Sequence, residues 1–196
     1  VFIGSEPVHA TSGKFKGTIV MQEQQNAGQA FMRSLSKEQQ TEATLAKIKD
    51  QNNAVAQAYK DNINLNYAGL RGNQFSDSQR QGLLALIETF VGTMSDGHAR
   101  IKMDEVKQYL DQTYFAWVGD VGPESVFYYR IHSPVLLIEF DHERRVAPFR
   151  SATPTRDHIH AVLRTPNGND YGKDLLRQHI QQHHSHDGHT HETLSE

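Results

Sequence analysis

The chain has 196 residues, of which 37% are hydrophobic and 22% charged, and a formal net charge of −3. This composition is typical of a soluble globular protein and excludes a largely disordered chain. There is no basic run or basic helix of the kind that binds nucleic acid. Its apolar runs fall far short of the roughly 20 residues needed to span a membrane. The sequence therefore predicts neither a nucleic-acid partner nor a membrane span.

The chain contains no cysteine. This excludes disulfides and thiolate chemistry, and it leaves His, Asp and Glu as the side chains that could bind a metal. Twelve residues are histidines, a high number for this length.

The first half of the chain predicts helices joined by loops. Residues 5–18 are expected to form a loop, and 21–35 a helix. A capping box, Ser36-Lys37-Glu38-Gln39, predicts a second helix that ends near Lys49. The Asn- and Gln-rich stretch 50–75 is expected to be a long connection. A second capping box, Ser76-Asp77-Ser78-Gln79, predicts a third helix that ends near Met94. Asp96 is expected to cap a fourth helix that extends to about Gln112.

The second half predicts strands. The segment 114–118 is short and aromatic, and 126–131 with 135–141 is typical of a β-hairpin. A strand at 158–163 and a final helix follow. Helices before strands predict an α+β fold, with N-terminal helices, then a small antiparallel sheet, then a C-terminal helix. We expect one such domain over 1–182, formed by the C-terminal part of a longer chain, and a His-rich tail over 183–196.

Two histidines, His158 and His160, lie two residues apart at the beginning of the last predicted strand. Alternate side chains of a strand point to the same face, so both imidazoles would face one way. Neighbouring imidazole nitrogens are typical ligands of Zn²⁺, Cu²⁺ and other transition metals. The alternatives are a pair of histidines that make hydrogen bonds in a polar cleft, or a histidine pair on the surface. Asp157 could orient one imidazole or cap the loop.

A carboxylate is expected near this pair. Glu139 and Asp141 share one face of the strand 135–141. Either is a candidate for a third ligand or a catalytic base, and Glu139 is the one that we assign to catalysis. The alternative is an ion pair between Glu139 and Arg130 across the hairpin, which depends on the register of its strands.

The segment after the histidines supplies further candidates. A turn at Thr165-Pro166-Asn167-Gly168 leads to Asp170, a candidate helix N-cap. Tyr171 and Arg177 would lie on the final helix and are candidates for substrate binding and catalysis. Alternatively, Tyr171 packs against the protein and Arg177 makes a surface ion pair.

The tail has five histidines within its last fourteen residues, namely His183, His184, His186, His189 and His191. Clustered histidines with small spacers bind Zn²⁺, Cu²⁺ or Ni²⁺ whatever the fold. The alternative is a solubilising tail without a biological metal.

Several motifs in order resemble a protein family defined only as a domain of unknown function. They are FIGSEP (2–7), SLSKEQ (34–39), FAWVG (115–119), YYRIHSPVLLIEFD (128–141), HIHAVLRTPNGNDYG (158–172) and DLLRQH (174–179). This family occurs in bacteria and fungi, and many members carry export signals. The resemblance therefore favours a periplasmic or secreted protein. It also implies a longer N-terminal portion that bears another histidine. It supports Glu139, His158, His160, Asp170, Tyr171 and Arg177 as matched motif positions, and it supplies no activity.

Three functions are compatible with these patterns. The first is a metal-dependent enzyme with a His/carboxylate site on one sheet face, which holds Zn or Cu in preference to Fe or Mn and acts on a small-molecule substrate. The second is a metal-handling protein that acts through its tail. The third is a metal-free module that binds a small ligand. The sequence does not predict an oligomeric state.

Overall fold

The computed structural model describes residues 1–55 and 65–166. Its helices and strands, in chain order, are β1 (Phe2–Ser5), α1 (Gln22–Ser34), α2 (Lys37–Ala43), β2 (Thr44–Ala46), β3 (Leu70–Arg71), α3 (Asp77–Val91), α4 (Asp96–Gln108), β4 (Tyr114–Gly119), β5 (Phe127–His132), β6 (Leu137–Arg144) and β7 (Pro154–Arg164). Short 3-10 turns occupy Gly72–Gln74 and Leu110–Gln112. The predicted C-terminal helix and the tail lie outside the described residues.

The described strands form one sheet in the order β1-β7-β6-β5-β4-β2, and β3 also pairs with β4. All pairs are antiparallel except β2 with β4. The predicted α+β class is confirmed. The predicted order of elements is wrong, because strand β1 precedes every helix. It lies at the edge of the sheet, paired with β7.

The helices cover one face of this sheet, called here the helix-facing face. Aromatic side chains dominate it: Phe140 stacks on Tyr129 with ring centroids 5.1 Å apart, and Phe31 of α1 meets Phe115 edge-on at 4.8 Å. At Gly28 the helix α1 approaches so closely that a Cβ atom would lie 2.2 Å from the Tyr129 ring. A glycine here lets α1 pack directly on the sheet.

Both predicted capping boxes are confirmed. The hydroxyls of Ser36 and Ser76 accept from the backbone N–H groups of Gln39 and Gln79, respectively. In each box the amide oxygen of the glutamine side chain accepts in turn from the backbone N–H of the serine. These bonds satisfy N–H groups that a helix start otherwise leaves without partners.

The predicted extent of the second helix is wrong. Helix α2 ends at Ala43, because Thr44–Ala46 instead pair in parallel with β4 opposite Trp117 and Val118. Leu45 and Ile48, which lie within the predicted extent of this helix, are exposed. No helix in the described ranges 1–55 and 65–166 is long and apolar enough to cross a membrane.

Candidate metal site

The face of the sheet opposite the helices carries charged and polar side chains and is called here the polar face. Its members come from three neighbouring strands: Tyr128, Arg130 and His132 of β5, Glu139, Asp141 and Glu143 of β6, and His158, His160 and Arg164 of β7. The register places Tyr128, Asp141, His160 and Gly4 in one row across four strands. Most of these polar groups are buried, which requires partners for them.

The two histidines of β7 converge through their Nε2 atoms, which are 3.1 Å apart. The rings are nearly perpendicular, with centroids separated by 4.7 Å. The side chain of His158 is buried, whereas that of His160 is 19% exposed. Solvent therefore reaches the histidine pair from the His160 side.

The partners of the Nδ1 atoms define where the protons lie. Nδ1 of His158 is 2.6 Å from the carbonyl oxygen of Arg144, and a carbonyl can only accept, so this nitrogen carries the hydrogen. Nδ1 of His160 is 2.9 Å from a carboxylate oxygen of Glu143 and donates in the same way. In the neutral imidazoles, both Nε2 atoms then present lone pairs to one another.

Glu143 joins the two histidines as the carboxylate of this cluster. One donor atom of each of the three residues lies within 4.8 Å of the others. The second oxygen of Glu143 accepts from Nδ2 of Asn52 at 2.8 Å. A carboxylate that receives His Nδ1–H is the usual support of a metal-binding imidazole. In this geometry Glu143 orients the His160 ring, and its Nε2 faces that of His158.

Strand β1 forms a wall of the cluster. Phe2 meets the His160 ring edge-on at 5.0 Å. A Cβ atom at Gly4 would lie 2.8 Å from Cδ2 of His160, so the imidazole requires glycine at this position. Just beyond β1, a carboxylate oxygen of Glu6 lies 3.7 Å from Nδ1 of His158, and Arg145 holds the other oxygen at 3.0 Å.

Glu139 shares the polar face with the histidines, but its carboxylate has other partners. The hydroxyl of Tyr128 donates to it at 2.6 Å and the N–H of Val55 at 3.2 Å. Arg130 lies directly opposite Glu139 in the register, as the alternative reading of the hairpin required. Burial and the Glu139 charge raise the pKa of Tyr128 well above its usual value.

Asp141 holds the segment that covers the sheet. One carboxylate oxygen accepts from the N–H groups of Asn53 and Ala54 at 2.5 and 2.7 Å, and the other lies 3.0 Å from Nζ of Lys49. Burial raises the pKa of Asp141 to about 6, against the lowering effects of Lys49 and the two N–H groups. Lys49 also donates to the carbonyls of Gln51 and His142.

The structure thus brings His158 and His160 together and adds Glu143, which the sequence interpretation missed. A signal existed, because Glu139, Asp141 and Glu143 alternate with period two along one strand. Asp157 accepts from the N–H of Val8 and lies 3.3 Å from Arg145, so it ties the loop after β1 to β7. Asp170, Tyr171, Arg177 and the five tail histidines lie outside the described residues.

The comparison with protein families agrees with this chain over most of its length. Residues 1–173 match the model of a family described as "Protein of unknown function (DUF3500)". The chain belongs to this family. A search of curated proteins found no match, and neither did a search of solved structures. The resemblance inferred from the sequence motifs is therefore confirmed, and the DUF3500 family supplies no activity for the site.

Proposed function

We propose that this DUF3500 protein binds a divalent transition metal through Nε2 of His158 and Nε2 of His160. The observation that carries the proposal is the pair of facing Nε2 atoms, each on a ring whose Nδ1 already has an acceptor. Two lone pairs at this separation repel each other unless a cation lies between them, either a proton shared in an N–H···N hydrogen bond or a metal ion. A metal ion satisfies both nitrogens and leaves every surrounding hydrogen bond intact.

The separation of the nitrogens is compatible with a metal as this cation. At a metal–nitrogen distance of about 2.1 Å, two ligands 3.1 Å apart subtend an angle of about 95°. This lies between the angles of octahedral and tetrahedral sites. Imidazole ligands suit Zn²⁺ and Cu²⁺, which we propose ahead of Fe²⁺ and Mn²⁺.

The same geometry is compatible with an enzyme. Two protein ligands leave coordination positions for water or substrate, and His160 is open to solvent. A bound Zn²⁺ or Cu²⁺ would supply a Lewis acid at these positions. The residues of the chain would orient it: Glu143 and the Arg144 carbonyl hold the two rings, and Phe2 limits the approach from β1.

The test compares Zn²⁺ and Cu²⁺ binding by the full chain and by a chain that ends at residue 182, using calorimetry and elemental analysis. We expect about one metal ion per shortened chain. In crystals grown with metal, anomalous scattering above and below the absorption edge should locate the ion beside His158 and His160. His158→Asn and His160→Asn should each abolish this site, and His98→Asn, at an exposed helix position, is the matched control.

Two results would contradict the proposal. Loss of metal uptake when residues 183–196 are removed would assign metal binding to the tail, as the metal-handling alternative requires. Absence of metal uptake by both chains, together with an unchanged metal content of His158→Asn and His160→Asn, would favour the metal-free alternative.

A further inference from the structure

A second polar cluster lies on the same sheet face, at the opposite end from Glu143. It comprises Arg130, His132 and Arg164. In the register, Arg130 lies opposite Glu139, and the next row along the strands holds His132, Leu137 and Arg164. All three side chains are buried, with 9%, 4% and 6% of their residue surfaces exposed.

Two nitrogens of this cluster are buried without a hydrogen-bond partner in residues 1–55 and 65–166. They are Nε of Arg130, which carries a hydrogen, and Nδ1 of His132, which carries one in one of the two neutral tautomers. The guanidinium also donates through Nη2 to the carbonyl of Asn66 at 3.3 Å, and the His132 ring contacts that of Tyr67 at 4.4 Å. A buried donor without a partner costs about 1–3 kcal/mol. An acceptor that reaches Nε of Arg130 would remove this cost, and it would also satisfy His132 in the tautomer that carries its hydrogen on Nδ1.

The charge of the cluster favours an anionic acceptor. The pKa of His132 is lowered to about 4 by burial, and then by the positive charges of Arg130 and Arg164. The positive charges of both guanidinium groups therefore disfavour protonation of the His132 imidazole. The nearby carboxylate, Glu139, accepts from Tyr128 and from the N–H of Val55.

We propose that Arg130 and His132, with Arg164 beside them, bind the anionic group of a ligand, either a carboxylate or a phosphate. At about 3.3 Å per residue, the Arg130 row lies about 7 Å and the Arg164 row about 13 Å along β7 from His160. The cluster would then fix the anionic end of a small molecule whose other end reaches the metal. This last step rests on the proposed function, whereas anion binding itself does not.

The test follows the Nε–Hε signals of arginine in the ¹⁵N-labelled full chain by NMR. Inorganic phosphate is titrated in one arm and acetate in another, with chloride at the same ionic strength as the reference. We expect a saturable shift of the Arg130 signal, larger than any shift in chloride. Saturation by phosphate alone would assign a phosphate group, and saturation by acetate a carboxylate. A shift that never saturates, or that chloride reproduces, would overturn the proposal.

Matched variants locate the site. Arg130→Lys keeps the charge but removes the guanidinium donors, so it should weaken anion affinity about tenfold or more. Arg150→Lys, at an exposed loop position, should leave the affinity unchanged. Equal affinity of Arg130→Lys and Arg150→Lys would overturn the assignment. The wild-type titration remains decisive if a variant fails to fold.

The anion site and the metal site can be rejected independently of each other. The titration is repeated in metal-free buffer on His158→Asn and His160→Asn, where we expect the anion affinity of the wild-type chain. Loss of anion binding in these variants would place the anion at the histidine pair and overturn a separate cluster. Persistence of anion binding in a protein that takes up no metal would reject only the metal site.

Discussion

The two faces of the sheet use histidine in opposite ways. On the helix-facing face, His142 is fully buried; its Nδ1 accepts from the N–H of Phe127 at 2.9 Å, and its Nε2 lies 2.9 Å from Oε1 of Gln25. Both nitrogens are therefore satisfied by the protein. On the polar face, His158 and His160 each have one nitrogen satisfied and direct the other toward a neighbouring histidine.

The difference shows that burial alone does not identify a functional histidine. His142 is more buried than His158 or His160, yet its hydrogen bonds leave it no nitrogen for a ligand. What distinguishes the pair is that the two Nε2 atoms face each other, each on a ring that a contact at Nδ1 holds in place. We expect the helix-facing face to provide stability and the polar face to provide binding.

The largest effect on stability is expected from Phe140→Ala on the helix-facing face. Phe140 is fully buried and stacks on Tyr129 and Phe127. Its removal should lower the free energy of unfolding by about 4 kcal/mol, measured by urea denaturation. Phe149→Ala, which removes an exposed ring, is the control and should change it by less than about 0.5 kcal/mol. Similar losses in both variants would show that this face does not dominate stability.

The next effect concerns the buried ion pair of the polar face. Asp141→Asn removes a charge and leaves Lys49 buried without compensation, which should cost about 3 kcal/mol in urea denaturation. Adding Lys49→Met should restore part of this loss, because the double variant has no uncompensated charge. A double variant as unstable as the sum of the single variants would argue against coupling between the two groups.

A pH effect should separate His142 from an exposed histidine. Burial lowers the pKa of His142 to about 3, whereas an unfolded histidine titrates near pH 6.5. Between these values the unfolded state binds the additional proton, so this contribution to stability is complete above pH 6.5 and is lost as the pH falls. One such group gives a slope of at most about 1.4 kcal/mol per pH unit.

The measurement is the free energy of unfolding between pH 6.5 and pH 4. His142→Asn should flatten this profile relative to the wild-type chain, and the exposed His98→Asn should leave it unchanged. An unchanged slope in His142→Asn would mean that His142 does not remain neutral in the folded protein.

The smallest effect is expected from Glu143→Gln. The amide oxygen of glutamine can still accept from Nδ1 of His160, so Zn²⁺ affinity should fall only about tenfold by calorimetry, less than in His160→Asn. If Glu143→Gln instead weakens binding as much as His160→Asn, Glu143 is itself a ligand. Stability measured without metal controls for unfolding of the variant.

Local patterns in the sequence predicted much of the fold. Capping residues identified the starts of α2 and α3, and short aromatic and apolar runs identified the hairpin and the histidine strand. The end of α2 was not predictable in this way, because Thr44 leaves the helix to pair with β4, more than seventy residues later. Tertiary pairing here overrides local helix propensity.

The candidate site shows the same limit. The spacing of His158 and His160 predicted that their rings face one way, and the structure agrees. The carboxylate was placed at Glu139 because the strand was expected to end at residue 141, whereas β6 continues to Arg144 and brings Glu143 to His160. The contribution of β1 depends on a pairing between residues more than 150 positions apart, which no local pattern reveals.

The glycine of β1 has a consequence for folding. The His160 ring lies against Gly4 only after β1 has paired with β7, and this contact closes a loop of more than 150 residues. Contacts that close such long loops carry a large entropic cost and contribute little to the rate of early folding. The hairpin and the histidine strand can form without β1, but the finished histidine pocket cannot. Metal capture during refolding would therefore mark the docking of the first strand, and not the earlier assembly of the sheet.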